Sequence, residues 1–135
     1  MGSDRANRAI AGLSMGGAQT LNIAFTQPED YGYVGVFSSG IFGIAGGPNA
    51  EPSTKWEDDH RSVLDSANTR KGLNLVWFGC GNEDFLVETA NKTVEMLKGH
   101  GIDVTYKRTG GGHTWSNWRD YLAEFAPLLF TDAPK

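Results

Sequence analysis

The chain has 135 residues, 39% hydrophobic and 21% charged, with a formal net charge of −4, which suits one compact domain with a buried core. The acidic balance and scattered Lys and Arg exclude an electrostatic surface for nucleic acid or an anionic membrane, and no apolar run approaches the ~18 residues of a membrane span. A single cysteine, Cys80, excludes an intrachain disulfide.

Met1 to Arg5 lack the apolar core of a signal peptide. Met1 and Gly2 read as expression remnants, and nothing in the composition assigns a compartment. Residues 8–14, RAIAGLS, form a short apolar run that predicts a buried strand ending in a turn. Over 15–27, Ala18, Leu21, Ala24 and Phe25 recur at helical spacing, and Pro28 stops the helix. Residues 33–40, YVGVFSSG, predict a second strand. Residues 40–60 are rich in Gly, Pro and polar side chains and predict a long loop, with a short helix around Thr54 to Asp65.

LNLVWFGCG (73–81) is apolar throughout, as in a strand buried on both faces. Val87, Ala90, Val94 and Leu97 predict a helix over 87–98, bounded by Gly99. Ile102, Val104 and Tyr106 alternate with Asp103, Thr105 and Lys107, predicting a strand with one polar side. A final helix carries Trp118, Leu122, Phe125 and Leu129. This alternation predicts an α/β fold, a mostly parallel sheet with helices on both faces, over a single domain at 1–135. Chemistry in such sheets gathers at the carboxyl ends of the strands, where Ser14, Ser39, Cys80 to Asp84 and His113 all fall.

Gly12-Leu13-Ser14-Met15-Gly16 matches G-x-S-x-G. In a chain with 18 glycines the pentapeptide alone is weak, and a serine capping a glycine-rich turn explains it equally well. Its place between a predicted strand and a predicted helix is the context a nucleophile elbow requires. Such a turn lifts the Ser14 hydroxyl above the sheet. It also points the Met15 N–H into the same space, at a helix N-terminus that favours developing negative charge.

A serine nucleophile needs a base and the base an orienter, in the chain order Ser, Asp or Glu, His. His100 lies between two glycines and reads as an exposed helix cap. His60 follows Glu57-Asp58-Asp59 in a charged surface stretch. His113 follows three glycines directly after a strand, and those glycines let an imidazole approach another loop. Asp84, in GCGNEDFL, follows the buried strand and is the candidate acid, with Glu83 the fallback. Asp30, Asp58 and Asp59 lie on surface-like stretches. Cys80 reads as a buried apolar residue at a strand end.

With these residues in place, RAIAGLSMGG, GCGNEDFL and GGGHTWSNWRDYL resemble the C-terminal half of α/β-hydrolase esterases of the feruloyl and acetyl-xylan type, related to esterase D. The likeness runs from about residue 4 to 130. It implies Ser14 as nucleophile, Asp84 as acid and His113 as base. It further implies ester hydrolysis through an acyl-enzyme on acetyl, short-chain acyl or feruloyl groups, small or polysaccharide-linked, with no metal or organic cofactor. Trp115 and Trp118 are candidates for an aromatic acyl pocket, with helix packing as the alternative role.

The family's domain has several strands before the nucleophile, and a loop among them gives the second oxyanion donor. Here thirteen residues precede Ser14, so the expectation is a sheet lacking the N-terminal strands. Losing one donor typically costs ~2.7–4 kcal/mol, or roughly a hundredfold to a thousandfold in rate. The strand at 8–13 then becomes an apolar edge that invites pairing, and a homodimer through this edge or an uncovered sheet face is expected. The competing readings are a catalytically impaired fragment and a non-enzymatic module that binds carbohydrate or a partner through exposed aromatics. Neither G-x-G-x-x-G nor G-x-x-x-x-G-K-[ST] occurs, and no zinc-ligand spacing is present.

Overall fold

A computed structural model describes residues 5–131; Met1 and Gly2 lie outside the described residues. Four parallel strands, β1 (Ala9–Leu13), β2 (Tyr33–Phe37), β3 (Leu75–Gly81) and β4 (Thr105–Thr109), lie side by side in chain order. The helices are α1 (Met15–Thr26), α2 (Lys55–Asp59), α3 (Arg61–Leu64), α4 (Ala67–Gly72), α5 (Val87–Gly99) and α6 (Trp115–Phe125). None is long and apolar enough to cross a membrane.

Period-two side-chain alternation divides the core between the two faces of the sheet. On one face Val34, Val36, Val76 and Phe78 meet Leu21, Ala24 and Phe25 of α1 and Val94 and Leu97 of α5. On the other, Tyr33, Phe37, Leu75 and Trp77 meet Tyr121 and Phe125 of α6. The predicted architecture, parallel strands with helices on both faces, is the one observed. Strands β2 and β3 are buried along their whole length. Gly35 admits the other layer: a Cβ there would come within 2.8 Å of the Phe125 ring.

Several boundaries differ from the sequence reading. The predicted 54–65 helix is two short helices, α2 and α3, and α4 follows them unpredicted. The last strand starts at Thr105, not Ile102, because its register against β3 begins at Trp77↔Thr105; Ile102 still reaches the core from the preceding loop. Helix α6 ends at Phe125, followed by a short 3-10 turn containing Pro127. Leu122 belonged to its predicted apolar stripe, yet it is 54% exposed. The buried residues of α6 are Tyr121 and Phe125. As expected, β1 is an edge of the sheet: it pairs with β2 alone among the described strands.

Candidate active site

Ser14, Asp84 and His113 are separated by 70 and 29 positions in the chain, and all three emerge at the carboxyl end of the sheet. Ser14 follows β1, Asp84 follows β3, and His113 ends the glycine loop after β4. The parallel order of the strands brings these three exits to one edge.

Ser14 adopts φ 52° and ψ −126°, a conformation that costs a non-glycine residue about 1–3 kcal/mol. Two contacts hold the strained turn. The Ser14 N–H donates to the Phe37 carbonyl at 3.0 Å, and the Ser14 carbonyl accepts from Gly17 N–H at 2.9 Å. Gly12 makes the turn sterically possible, since a Cβ there would lie 2.2 Å from the Gly16 carbonyl oxygen. Gly16 itself has open space where its Cβ would be. The close approach of strand and helix, expected to need both glycines, depends on Gly12 and on Gly17, whose Cβ would meet Ser39 at 2.5 Å.

His113 Nε2 lies 2.9 Å from Ser14 Oγ. Its Nδ1 lies 3.1 Å from both Asp84 oxygens. The Asp84 side chain is fully buried, and the Leu86 N–H donates to Oδ1 at 2.8 Å, so this carboxylate is fixed before it meets the imidazole. Glu83, the fallback acid, turns elsewhere and accepts from Gly111 N–H at 2.6 Å. That bond ties the acid loop to the glycine loop carrying His113. An imidazole with Nδ1–H on a carboxylate and a free lone pair on Nε2 can take the serine proton.

Aromatic rings surround the imidazole. Trp118 stands edge-on to it, with centroids 5.1 Å apart and planes at 89°. The indole is itself anchored, its Nε1 donating to Ser38 Oγ at 2.9 Å. Phe85 touches the same ring at 4.7 Å. Trp118 is therefore half-buried and packed, whereas Trp115 is 77% exposed and rests edge-on against Trp118 at 5.3 Å. Together with Leu13, Phe37 and Leu122 they line a cavity of about 420 Å³ beside the Ser14 turn. Met15 is the first residue of α1, and its side chain is 65% exposed. The first N–H groups of a helix have no intrahelical acceptor.

Other sequence candidates lie outside this cluster. Cys80 is fully buried, and burial pushes its thiol up to about 12, reinforced by the nearby Asp84 charge. His60 stacks on Trp56 at 4.0 Å. His100 is not the exposed cap expected: its side chain is 8% exposed, held between Asp65 on Nδ1 at 2.5 Å and Glu57 on Nε2 at 2.7 Å. Sequence reading also missed Ser38 and Phe85. The positive φ of Ser38, 54°, has no sequence signal; the place of Phe85 beside Asp84 was the available hint.

The sequence model of the Esterase family matches residues 2–129. The chain is 31% identical over 129 residues to an endo-1,4-beta-xylanase/feruloyl esterase of Xylanibacter ruminicola, covering 95% of this chain and 15% of that protein. It is 30% identical to an acetyl esterase of Caldicellulosiruptor saccharolyticus, covering 84% and 51%. Among solved structures, the feruloyl esterase module from Clostridium thermocellum complexed with sinapinate aligns with a TM-score of 0.71 at 20% identity, over 97% of this chain and 48% of that one. Enterochelin esterase from Shigella flexneri aligns with a TM-score of 0.70 at 26% identity, over 96% and 32%. The chain thus spans about half the length of the acetyl esterase, and less of the bifunctional xylanase. With a parallel α/β sheet and a family match over nearly its whole length, the chain belongs to the Esterase family.

Proposed function

We propose that this chain, as one α/β domain, is a serine carboxylic-ester hydrolase. Ser14 Oγ attacks the ester carbonyl carbon as His113 Nε2 takes its proton. Asp84 holds the imidazole in the right tautomer and balances the imidazolium that forms. The Met15 N–H donates to the oxyanion at the positive end of α1. The carbon–alkoxide bond then breaks, and the leaving oxygen takes the proton from Nε2. Water, deprotonated by the same nitrogen, attacks the acyl-serine carbonyl; the acyl–Oγ bond breaks, Nε2 returns its proton to Ser14 Oγ, and the acid leaves. The apolar cavity lined by Leu13, Trp115 and Trp118 receives the acyl group, which the names of two relatives above give as acetyl and feruloyl.

The observation that carries this reading is the continuous hydrogen-bonded chain from Ser14 Oγ through His113 to buried Asp84, at 2.9 and 3.1 Å. The test is hydrolysis of p-nitrophenyl acetate and butyrate by the chain and by Ser14→Ala and His113→Ala. We expect both substitutions to lower the rate by about a thousandfold or more. Equal rates for the three proteins contradict the assignment.

We further propose that two copies associate through β1. Among the described strands its apolar AIAGL segment pairs with β2 alone, and it is partly exposed along its length, a template for strand addition. Sedimentation at micromolar concentration is expected to give the dimer mass, and a monomer alone overturns this part of the reading.

A further inference from the structure

Asp84 and His113 follow different strands, and the bond between them closes 29 positions of chain. His113 rides on Gly110-Gly111-Gly112, a segment with unusual backbone freedom. The loop needs that freedom where it crosses the end of β3. A Cβ on Gly81 would lie 2.1 Å from the Gly111 carbonyl oxygen, and Gly111 itself takes φ 87°. The same freedom lets the peptide plane between Gly110 and Gly111 rotate, and such a rotation moves His113, two residues on.

Two side chains hold that plane from opposite ends. The Gly110 carbonyl and the Gly111 N–H belong to one peptide unit and point in opposite directions. The Gly111 N–H donates to Glu83 Oε1 at 2.6 Å. The Gly110 carbonyl accepts from Asn117 Nδ2 at 2.9 Å. Asn117 is braced in turn: Thr114 Oγ1 donates to its Oδ1 at 2.9 Å, and its Nδ2 lies 3.2 Å from the hydroxyl of buried Tyr121. Glu83 is fixed through its main chain, its N–H donating to the Gly111 carbonyl at 3.0 Å. Any residue at 83 supplies that N–H. Only a side chain of this length with a terminal acceptor oxygen returns the second bond, which a carboxylate strengthens. Glu83 also directly precedes Asp84, so the pair of bonds joins the acid's loop to the base's loop.

We infer that Glu83 is a positioning residue: with Asn117 it fixes the Gly110–Gly111 peptide plane and so keeps His113 Nδ1 facing Asp84. The inference rests on the hydrolase reading above. Glu83 is exposed, and surface substitutions usually change stability little. Displacing a reacting group by a small distance, in contrast, costs up to about a hundredfold in rate.

The test compares the chain with Glu83→Ala and Glu83→Gln. Nitrogen NMR of the His113 ring at about pH 8, where an ordinary imidazole is neutral, reports its tautomer without turnover. The unaltered chain is expected to show Nδ1–H, and Glu83→Ala a mixture with Nε2–H. Glu83→Gln keeps an acceptor oxygen at the same reach and is expected to restore the Nδ1–H pattern. On p-nitrophenyl butyrate, Glu83→Ala is expected to lower kcat about ten- to a hundredfold with KM little changed, and Glu83→Gln to recover most of it. Melting curves verify the fold. Glu83→Asp, one methylene too short for the bond, is expected to behave as Glu83→Ala and carries the test if the alanine variant does not fold. No Nδ1–H preference in the unaltered chain, or the same tautomer in all variants, overturns the inference. So does an unchanged kcat in a chain that hydrolyses the ester. If the unaltered chain hydrolyses nothing, the hydrolase reading fails and the tautomer alone decides the role of Glu83.

Discussion

A Cβ on Gly12 would lie 2.2 Å from the carbonyl oxygen of Gly16, whereas a Cβ on Gly16 would meet nothing within 4 Å. The two glycines of the pentapeptide are thus unequal. Gly12 lets the last residues of β1 pass under the first turn of α1; Gly16 is one helical position in that turn. Gly12→Ala is expected to force strand and helix apart, destabilise the fold by at least about 1–3 kcal/mol as overpacking does and displace Ser14. Gly16→Ala is expected to leave the melting temperature equal or raise it, because alanine favours helix by up to about 1 kcal/mol. Thermal melts of the two variants read the difference.

The strain at Ser14 gives a second prediction. Its φ of 52° suits glycine at no cost. Ser14→Gly is expected to be more stable than Ser14→Ala by about 1 kcal/mol or more, although both lack the hydroxyl. Chemical denaturation of the two variants measures this. Equal midpoints would show that the turn is not strained.

Trp118 and Ser38 give a third. Trp118→Phe keeps an aromatic ring near His113 and removes the donor that Ser38 Oγ accepts. Ser38 is fully buried, so its hydroxyl loses its partner, at a cost of about 1–3 kcal/mol in stability. With the ring no longer anchored, kcat is expected to fall more than KM rises in steady-state assays on p-nitrophenyl butyrate.

His100 makes stability depend on pH. Both ring nitrogens face carboxylates, Asp65 on Nδ1 and Glu57 on Nε2, so both bonds are satisfied together only by the imidazolium. Arg61 and Arg70 also approach this cluster, Arg61 toward both carboxylates and Arg70 by donating to the Asp65 carbonyl. The bond to Asp65, then that to Glu57, raises the His100 pKa above its ordinary 6.5 despite partial desolvation. A raised folded-state pKa stabilises the fold fully below the unfolded value, and that gain is lost as pH rises through the folded one. The gap in melting temperature between the chain and His100→Gln is therefore expected to be widest just below pH 6.5 and to close as the solution becomes alkaline. A gap that widens with pH would contradict this.

Much of the fold was legible because its signals are local. The apolar run at 73–81 marks β3, the spacing of Val87 to Leu97 marks α5, and the positions of Ser14, Asp84 and His113 after strands mark the proposed site. What was missed depends on distant partners. His100 looked like an exposed cap because Glu57 and Asp65 lie 43 and 35 positions away. Trp118 left two roles open because Ser38 is 80 positions away. The start of β4 was misplaced because Ile102 is apolar for the core, not for strand pairing; the register with Trp77 decides where the ladder begins. Leu122 sat in a regular apolar stripe, yet the face of α6 that meets the sheet is centred on Tyr121 and Phe125.

The central claim is that His113 and Asp84 make Ser14 a nucleophile. The most direct measurement is intact mass after brief exposure to a fluorophosphonate, which a nucleophilic serine attacks with loss of fluoride and which needs no turnover. The account predicts one adduct per chain, located on Ser14 by peptide mapping, absent in Ser14→Ala and strongly slowed in His113→Ala. Labelling at the same rate in His113→Ala, or none in the unaltered chain, would contradict it.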